Sequence, residues 1–180
     1  MSAPNQTSIV LYVMKALKAN GSWCGETHVQ KTLFLCQQLL DVPSNFKFIL
    51  YKHGPYSFQL SEHLQELIAD EFIQVRSRPP YGPSLELSDD ANLLSRSTEA
   101  DSSLARKIDF ITARLGRKGV GDLERMATAV YVNEKYGAHV PLEQRATTLT
   151  SLKPHVPSEA ARNAFLEVDQ LQRDSQRIAA

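Results

Sequence analysis

The segment FILYKHGPYSFQLSEHL, at residues 48–64, constrains the fold most, because the chain must reverse direction within a few of its residues. An apolar, strand-like run ends near Lys52, and a helical pattern begins near Ser57. Between them, Gly54 tolerates a positive φ, Pro55 fixes its own φ, and Ser57 is a favourable helix N-cap. We therefore predict a structural corner formed by Gly54, Pro55 and Ser57.

Two helices are predicted before this corner. Apolar residues at helical spacing predict the first over residues 7–20, with Gly21 as its stop. The second is predicted to begin at Thr27, because Thr27 followed three residues later by Gln30 fits a capping box. It is expected to end just before Pro43.

A strand, a third helix and a hairpin are predicted next. Residues 46–51 alternate as a short, mostly buried strand that the corner breaks. A third helix follows from Ser57, and residues 73–87 predict a β-hairpin whose loop, at residues 79–83, is too long for a two-residue turn. The order helix, helix, strand, helix, hairpin is that of a winged-helix core, with the hairpin as the wing.

From about residue 90 the apolar pattern is wholly helical. The predicted helical segments are residues 104–115 before Gly116, residues 123–131 before Gly137, residues 145–152, and a last helix from Ser158. The predicted fold class is therefore mostly α (α+β): a winged-helix-like core with a β-hairpin wing and additional C-terminal helices. We expect the core over residues 1–100 and a helical extension over residues 101–180, packed on the core as one compact unit.

Charge and composition limit the possible functions. The chain has 180 residues and no formal net charge, because 20 Lys and Arg balance 20 Asp and Glu. A non-specific nucleic-acid binder usually carries a basic excess, since phosphate contacts supply most of its affinity. Any DNA binding would therefore need a local basic patch. An apolar content of 42% is ample for a core.

Neither a disulfide framework nor a membrane segment is predicted. The two cysteines, Cys24 and Cys36, have no nearby Cys/His pattern, and Cys36 lies on the apolar part of a helix. The N-terminal MSAPNQTS has no basic region, and no window approaches the length of a membrane span. We therefore expect a cytoplasmic protein that makes no membrane contact.

The sequence predicts no catalytic residues, no metal site and no cofactor. His53 and His63 are ten residues apart and match no usual metal spacing. Ser57 lies near His53, but no acid is placed to orient the pair, and a capping role explains the serine better. The glycine loop GRKGVG, at residues 116–121, lies between helices and lacks the P-loop pattern.

A basic and aromatic cluster at the corner is the main candidate for binding. The corner has a purely structural explanation, but Lys52, His53 and Tyr56 beside a helix N-terminus would also favour anions, phosphates or an acidic partner. Tyr81 on the wing is a plausible anchor, because Tyr supplies a large contact area at low entropic cost. The predicted partner-binding residues are Lys52, His53, Tyr56, Gln59, His63, Arg76, Arg78 and Tyr81.

The charge of the third helix favours a protein partner over DNA. No Lys or Arg occurs between Ser57 and Glu71, and the acidic residues there would be repelled by phosphates. Arg76 and Arg78 on the wing supply only two charges. A second basic cluster surrounds the glycine loop, either as a solvated connector or as a patch for phosphate or an acidic protein. Its members are Arg114, Arg117, Lys118 and Arg125.

Four segments, QKTLFLCQQL, FILYKHGPYSFQL, LERMATAVYV and LKPHVP, occur in this order at compatible separations. Together they resemble the YwgA-like family of small bacterial and phage-associated proteins, and more distantly the Panacea (SocA-like) antitoxin domain. The resemblance covers roughly residues 8–172. It implies a winged-helix-like core with helical additions, and roles in toxin neutralisation, regulation or phage conflict, and it brings no catalytic residues.

The sequence therefore predicts a non-enzymatic, regulatory protein-interaction module that is antitoxin-like or phage-defence-associated. The expected partner is a protein such as a toxin, a nuclease or a regulator. The alternative is a winged-helix DNA-binding transcription regulator, for which a homodimer is expected because paired half-sites mirror protein symmetry. The last helix, from Ser158, is the candidate dimer interface.

Overall fold

A computed structural model describes residues 3–179 of the chain. These residues form eight helices and two antiparallel two-stranded sheets. The fold is therefore mostly helical, as the sequence predicts. In chain order the elements are α1 (Gln6–Ala19), α2 (Glu26–Leu40), β1 (Ile49–Tyr51), β2 (Gly54–Tyr56), α3 (Phe58–Ala69), β3 (Ile73–Arg78), β4 (Tyr81–Leu87), α4 (Asp89–Ala100), α5 (Ser102–Leu115), α6 (Val120–Tyr136), α7 (Leu142–Leu152) and α8 (Ser158–Ala179).

Helices α1 and α2 lie at the centre of the hydrophobic core. Helix α1 packs against α4 and α5, whereas α2 packs against α5, α6 and α8. Most residues of both helices are buried, because each is covered on several sides. One apolar cluster thus includes side chains from the first hundred residues and from the later helices. None of the helices within residues 3–179 combines the length and apolarity required to cross a bilayer.

The start of α2 differs from the prediction, whereas α1 agrees with it. The first helix is confirmed, and Asn5 and Ser8 form a reciprocal capping box at its start. The capping box predicted for Thr27 and Gln30 is wrong: α2 begins at Glu26, after Gly25, and has no side-chain cap. The reason is that Gln30 is fully buried and bonds to the corner instead of capping its own helix.

The corner is a small hairpin, not the end of a single strand. Strand β1 pairs with β2 around the two-residue turn Lys52-His53, with Tyr51 opposite Gly54. The prediction that Gly54 and Pro55 break the strand is therefore wrong, because both belong to β2. The first strand is also shorter than predicted and only partly buried. Ser57 caps α3 by accepting a hydrogen bond from the Leu60 N–H at 3.2 Å, as predicted.

The second hairpin has a tighter turn than the sequence suggested. Arg78 pairs with Tyr81, so that only Pro79 and Pro80 form the turn, and the predicted long loop is wrong. The register shifts between Arg76 and Arg78, which lets the strands stay paired up to this turn. The predicted C-terminal helices are confirmed, with Gly116 and Gly137 at the ends of α5 and α6.

The close approach of Gly54 to α6 gives a test of the corner. Gly54 has a φ of 84°, and an added Cβ would lie 2.7 Å from Thr128 Oγ1. We expect Gly54→Ala to lower the free energy of unfolding by roughly 1–3 kcal/mol, through backbone strain and overpacking together. Gly82→Ala is the control, because an added Cβ there meets no atom within 4 Å. Denaturant unfolding of both variants measures the difference, and equal losses would contradict the close approach.

Candidate functional site

Two adjoining features at the β1–β2 hairpin make up the candidate site. The first is an exposed apolar surface, the aromatic patch, formed by Ile49, Tyr51, Tyr56 and Phe58. The second is the corner cavity, about 110 Å³ in volume, which lies between the hairpin turn, α6 and the segment joining α7 to α8. The cavity is lined by His53, Gly54, Gly121, Glu124, Arg125, Thr128, Leu149, Lys153, His155, Val156 and Pro157.

The aromatic patch is a cluster of rings in mutual contact. The ring centroids of Tyr56 and Phe58 are 5.1 Å apart, those of Tyr51 and Phe58 5.4 Å, and those of Tyr51 and Tyr56 5.9 Å. Ile49 is opposite Tyr56 in the hairpin and is 51% exposed. Phe58 is 49% exposed and Tyr51 44%, so the cluster presents a large apolar surface to solvent.

Sequence reasoning found only Tyr56 among these four residues. The signal for the others lies in the period of a strand, because Ile49 and Tyr51 are two residues apart and share one face. Phe48 and Leu50 occupy the opposite face and are more covered. The alternation of residues 46–51 predicts a strand, but it does not show that the face carrying Ile49 and Tyr51 is exposed.

Tyr56 joins the patch to the start of α2. Its hydroxyl donates a hydrogen bond to Glu26 Oε1 at 2.9 Å. Burial raises the pKa of Tyr56, and the neighbouring Glu26 carboxylate raises it further. The hydroxyl therefore stays protonated and fixes the ring beside Phe58.

Two buried lysines hold the backbone of the hairpin. Lys31, which is 1% exposed, donates from Nζ to the Pro55 carbonyl at 2.8 Å. Lys153 donates from Nζ to the Lys52 carbonyl at 2.6 Å and also to the Tyr51 carbonyl. Hydrogen bonds from charged donors are stronger than neutral ones, so the hairpin is fixed at three carbonyls. Sequence reasoning missed both lysines, although a single Lys within the apolar run VQKTLFLC was a signal for a buried charge.

Burial alters the protonation of both lysines. It lowers the pKa of Lys31 to about 8, with nearby Lys153 contributing in the same direction and Glu124 opposing the shift. Burial also lowers the pKa of Lys153, which Glu124 again partly offsets. Glu124 is therefore the principal carboxylate near two buried ammonium groups.

The polar side chains around the cavity do not form a catalytic set. His53 Nδ1 lies 3.2 Å from Glu124 Oε1, but the His53 side chain is mostly exposed. The Thr128 hydroxyl donates to the Glu124 carbonyl at 2.7 Å, within its own helix. A nucleophile oriented by a base, as group transfer requires, is not assembled from these groups. Within residues 3–179, no three His, Cys, Asp or Glu side chains are placed to bind a metal ion together.

The predicted partner-binding residues divide into two groups. Lys52, His53 and Tyr56 lie together at the hairpin. Gln59 is exposed near them, on α3. His63 is more covered than predicted, because its ring contacts Thr7 Oγ1 at 3.2 Å and the side chain is 19% exposed.

The wing residues form the second group. Arg76 pairs with Glu86 at 3.1 Å. The Arg78 guanidinium lies 4.8 Å from the centre of the Trp23 ring and 5.7 Å from that of Tyr81. Tyr81 itself is 68% exposed, and its role as an anchor residue stays a prediction.

No family model matches this sequence, and no curated protein matches it. The likeness to YwgA-like proteins and to the Panacea domain therefore stays a prediction that depends on the four segments described above.

The buried ammonium of Lys31 predicts a particular dependence of stability on pH. Between pH 8 and 10.5 the unfolded chain keeps a proton on Lys31 that the folded chain has released. The free energy of unfolding contributed by this residue therefore rises with pH across this window, and the cost of the buried charge is fully present below it. We expect the Lys31→Met variant to lack this contribution, so that its free energy of unfolding rises less with pH than that of the wild type.

Denaturant unfolding at several pH values measures the effect as a difference between wild type and Lys31→Met. The difference is needed because other groups titrate in the same range: burial lowers the pKa of Lys153 and raises that of Cys24 to about 12. Both groups are present in both proteins. Parallel stability profiles for the two proteins would contradict a buried, titrating Lys31.

Proposed function

We propose that the chain is a non-enzymatic, regulatory protein-interaction module that binds another protein through the aromatic patch. The observation that carries this proposal is the contact of three rings on an exposed surface, with Tyr51 and Phe58 each close to half exposed. Large contiguous apolar patches on soluble proteins commonly mark interaction sites. Aromatic side chains also supply much of the binding energy at protein interfaces.

The rigidity of the patch supports binding. Lys31 and Lys153 fix the hairpin backbone, and the Gln30 side chain accepts from the Ser57 N–H and donates to the Ser57 carbonyl, both at 2.9 Å. A surface that is already ordered loses less conformational entropy when it binds a partner. The ordered backbone of the patch therefore favours a higher binding affinity.

Charges beside the patch define the chemistry of the partner. Lys52 and His53 are exposed at the tip of the hairpin, whereas Glu26 is engaged by Tyr56. A complementary protein would present an apolar projection to the rings and a carboxylate to the hairpin tip. The resemblance to YwgA-like and Panacea proteins makes a toxin, a nuclease or a regulator the class to test first, in an antitoxin-like or phage-defence role.

A winged-helix DNA-binding regulator is the alternative function. The order of the first elements, with β3 and β4 as the wing, fits a winged-helix-like core, and we include that architecture in the proposal. The surface of α3 opposes DNA binding, because Glu62 and Glu66 are exposed on it and would face phosphates. On the wing, the charge of Arg76 is already paired with Glu86.

A mobility-shift assay on the promoter of the chain's own gene, at two salt concentrations, separates the two functions. Under the proposal we expect no shift at micromolar protein. A shift that weakens steeply with salt would instead support the DNA-binding regulator, because phosphate contacts release counterions.

Loss of the rings is expected to weaken partner binding. The partner is first identified by co-purification from the native host with the full chain, and its affinity is then measured by calorimetry. We expect Tyr51→Ser and Phe58→Ser each to weaken binding about tenfold or more, as truncation of interface anchors does. Leu166→Ser is the matched control, because Leu166 is 55% exposed on α8, away from the patch.

Three results would contradict the interaction proposal. One is elution of the chain alone from the host extract. Another is an equal loss of affinity in Leu166→Ser and Phe58→Ser. The third is a concentration-dependent dimer, detected by light scattering, that Phe58→Ser dissociates, since a second copy would then occupy the patch. Tyr81→Ala tests separately whether the wing belongs to the interface.

A further inference from the structure

The corner cavity is a distinct feature from the aromatic patch. It opens on the other side of the hairpin turn, where His53 and Gly54 face α6 and the segment after α7. The interaction through Tyr51 and Phe58 does not use it. Its lining brings together side chains that are far apart in sequence, from residue 53 to residue 157.

Basic side chains outnumber acidic ones in the lining of this cavity. Lys153 and Arg125 line it, together with His53 and His155, while Glu124 is the carboxylate among the lining residues. Lys31 lies directly behind the wall, since its Cε is 4.0 Å from the position of a Cβ on Gly54. Within the described part of the chain, Glu124 is thus the one carboxylate among several basic side chains that line this partly enclosed space.

These basic groups differ in how far their charge is already paired. Glu124 contacts His53, and its charge partly offsets the lowering of the Lys31 pKa by burial. Arg125 contacts Asp122 at 2.5 Å within the first turns of α6. Lys153 Nζ instead donates to two backbone carbonyls, and no carboxylate of residues 3–179 lies within 4.0 Å of it.

Two of the three N–H donors of the Lys153 ammonium group have backbone acceptors. An ammonium group carries three hydrogens, and the carbonyls of Tyr51 and Lys52 accept two of them. Since Lys153 lines the cavity, the third hydrogen is the one that an anion bound there would accept. Because the two carbonyl bonds fix Nζ in place, this donor is oriented in advance, which lowers the entropic cost of binding an anion.

Part of the remaining wall is apolar. Leu149, Val156 and Pro157 line the cavity opposite the hairpin turn. A bare, strongly hydrated ion would gain nothing from these side chains, whereas a compact organic molecule would bury apolar surface against them.

We propose that the corner cavity binds a small organic anion, with its phosphate or carboxylate group against Lys153 and its apolar part against Leu149 and Val156. Arg125 and His155 flank the anionic group. Bound charge there would offset the cost of burying two ammonium groups, in agreement with the lowered pKa values of Lys31 and Lys153. The proposal requires neither the aromatic patch nor a protein partner, although His53 belongs both to the hairpin tip and to the cavity lining.

Calorimetry with the full chain, at constant ionic strength in chloride, tests the cavity with three probes: inorganic phosphate, glycerol phosphate and isobutyrate. Saturable binding of either organic probe in preference to inorganic phosphate supports the proposal, and the tighter of the two identifies the anionic group. Failure of both organic probes to bind would overturn it.

Matched variants place the binding in the cavity. We expect Arg125→Gln and His155→Gln each to weaken binding of the probe about tenfold, the first through loss of a charge-assisted hydrogen bond and the second through loss of the imidazole contact. Arg106→Gln, on the exposed face of α5, removes the same charge elsewhere and is expected to leave affinity unchanged. Equal weakening by Arg106→Gln and Arg125→Gln would overturn the site. Lys153→Met is expected to abolish binding, but because Lys153 also holds the hairpin, the two flanking variants decide the result.

Discussion

The hydrogen bond from the buried Lys31 ammonium to the Pro55 carbonyl, 2.8 Å long, underlies the geometry of the candidate site. Burying a cation is costly unless its hydrogens are accepted, so the helix that carries Lys31 must keep a carbonyl at this position. That requirement draws β2 against α2 and α6, where only a glycine at position 54 leaves room for Thr128. The outward face of the hairpin follows from this placement, and with it the exposure of Tyr51.

The same arrangement explains why an apolar patch and a basic cavity adjoin. Each strand of the hairpin is only three residues long, so the aromatic patch and the cavity share a short length of backbone. One face carries the rings, and the turn carries His53 over Glu124. Lys153 contacts the backbone between them. A displacement of the backbone at the patch can therefore reach the cavity through a very short length of chain.

Helical periodicity predicted most of the fold, because burying one face of a helix leaves a local trace in the sequence. The C-terminal helices and the ends at Gly116 and Gly137 are examples. Local rules failed where a tertiary contact replaced them. Gln30 fits a capping box, yet it bonds to Ser57, 27 residues away. The roles of Lys31 and Lys153 could not be predicted, since their acceptors are backbone carbonyls that any sequence supplies. Among the residues of the site, the sequence singled out His53, Gly54, Tyr56 and Arg125, but neither the outward apolar face of β1 nor Lys153.

The support that Lys153 gives to the hairpin has a consequence for the order of events during synthesis. The acceptor at Lys52 and the donor at Lys153 are separated by 101 residues. Because domains are synthesised from the N-terminus, the hairpin leaves the ribosome well before the lysine that secures it has been added. The full set of contacts to the hairpin backbone thus forms only after Lys153 has been added. A polypeptide that ends before Lys153 would carry the aromatic residues with the support of Lys31 alone, and the carbonyls of Tyr51 and Lys52 would lack the ammonium group that binds them.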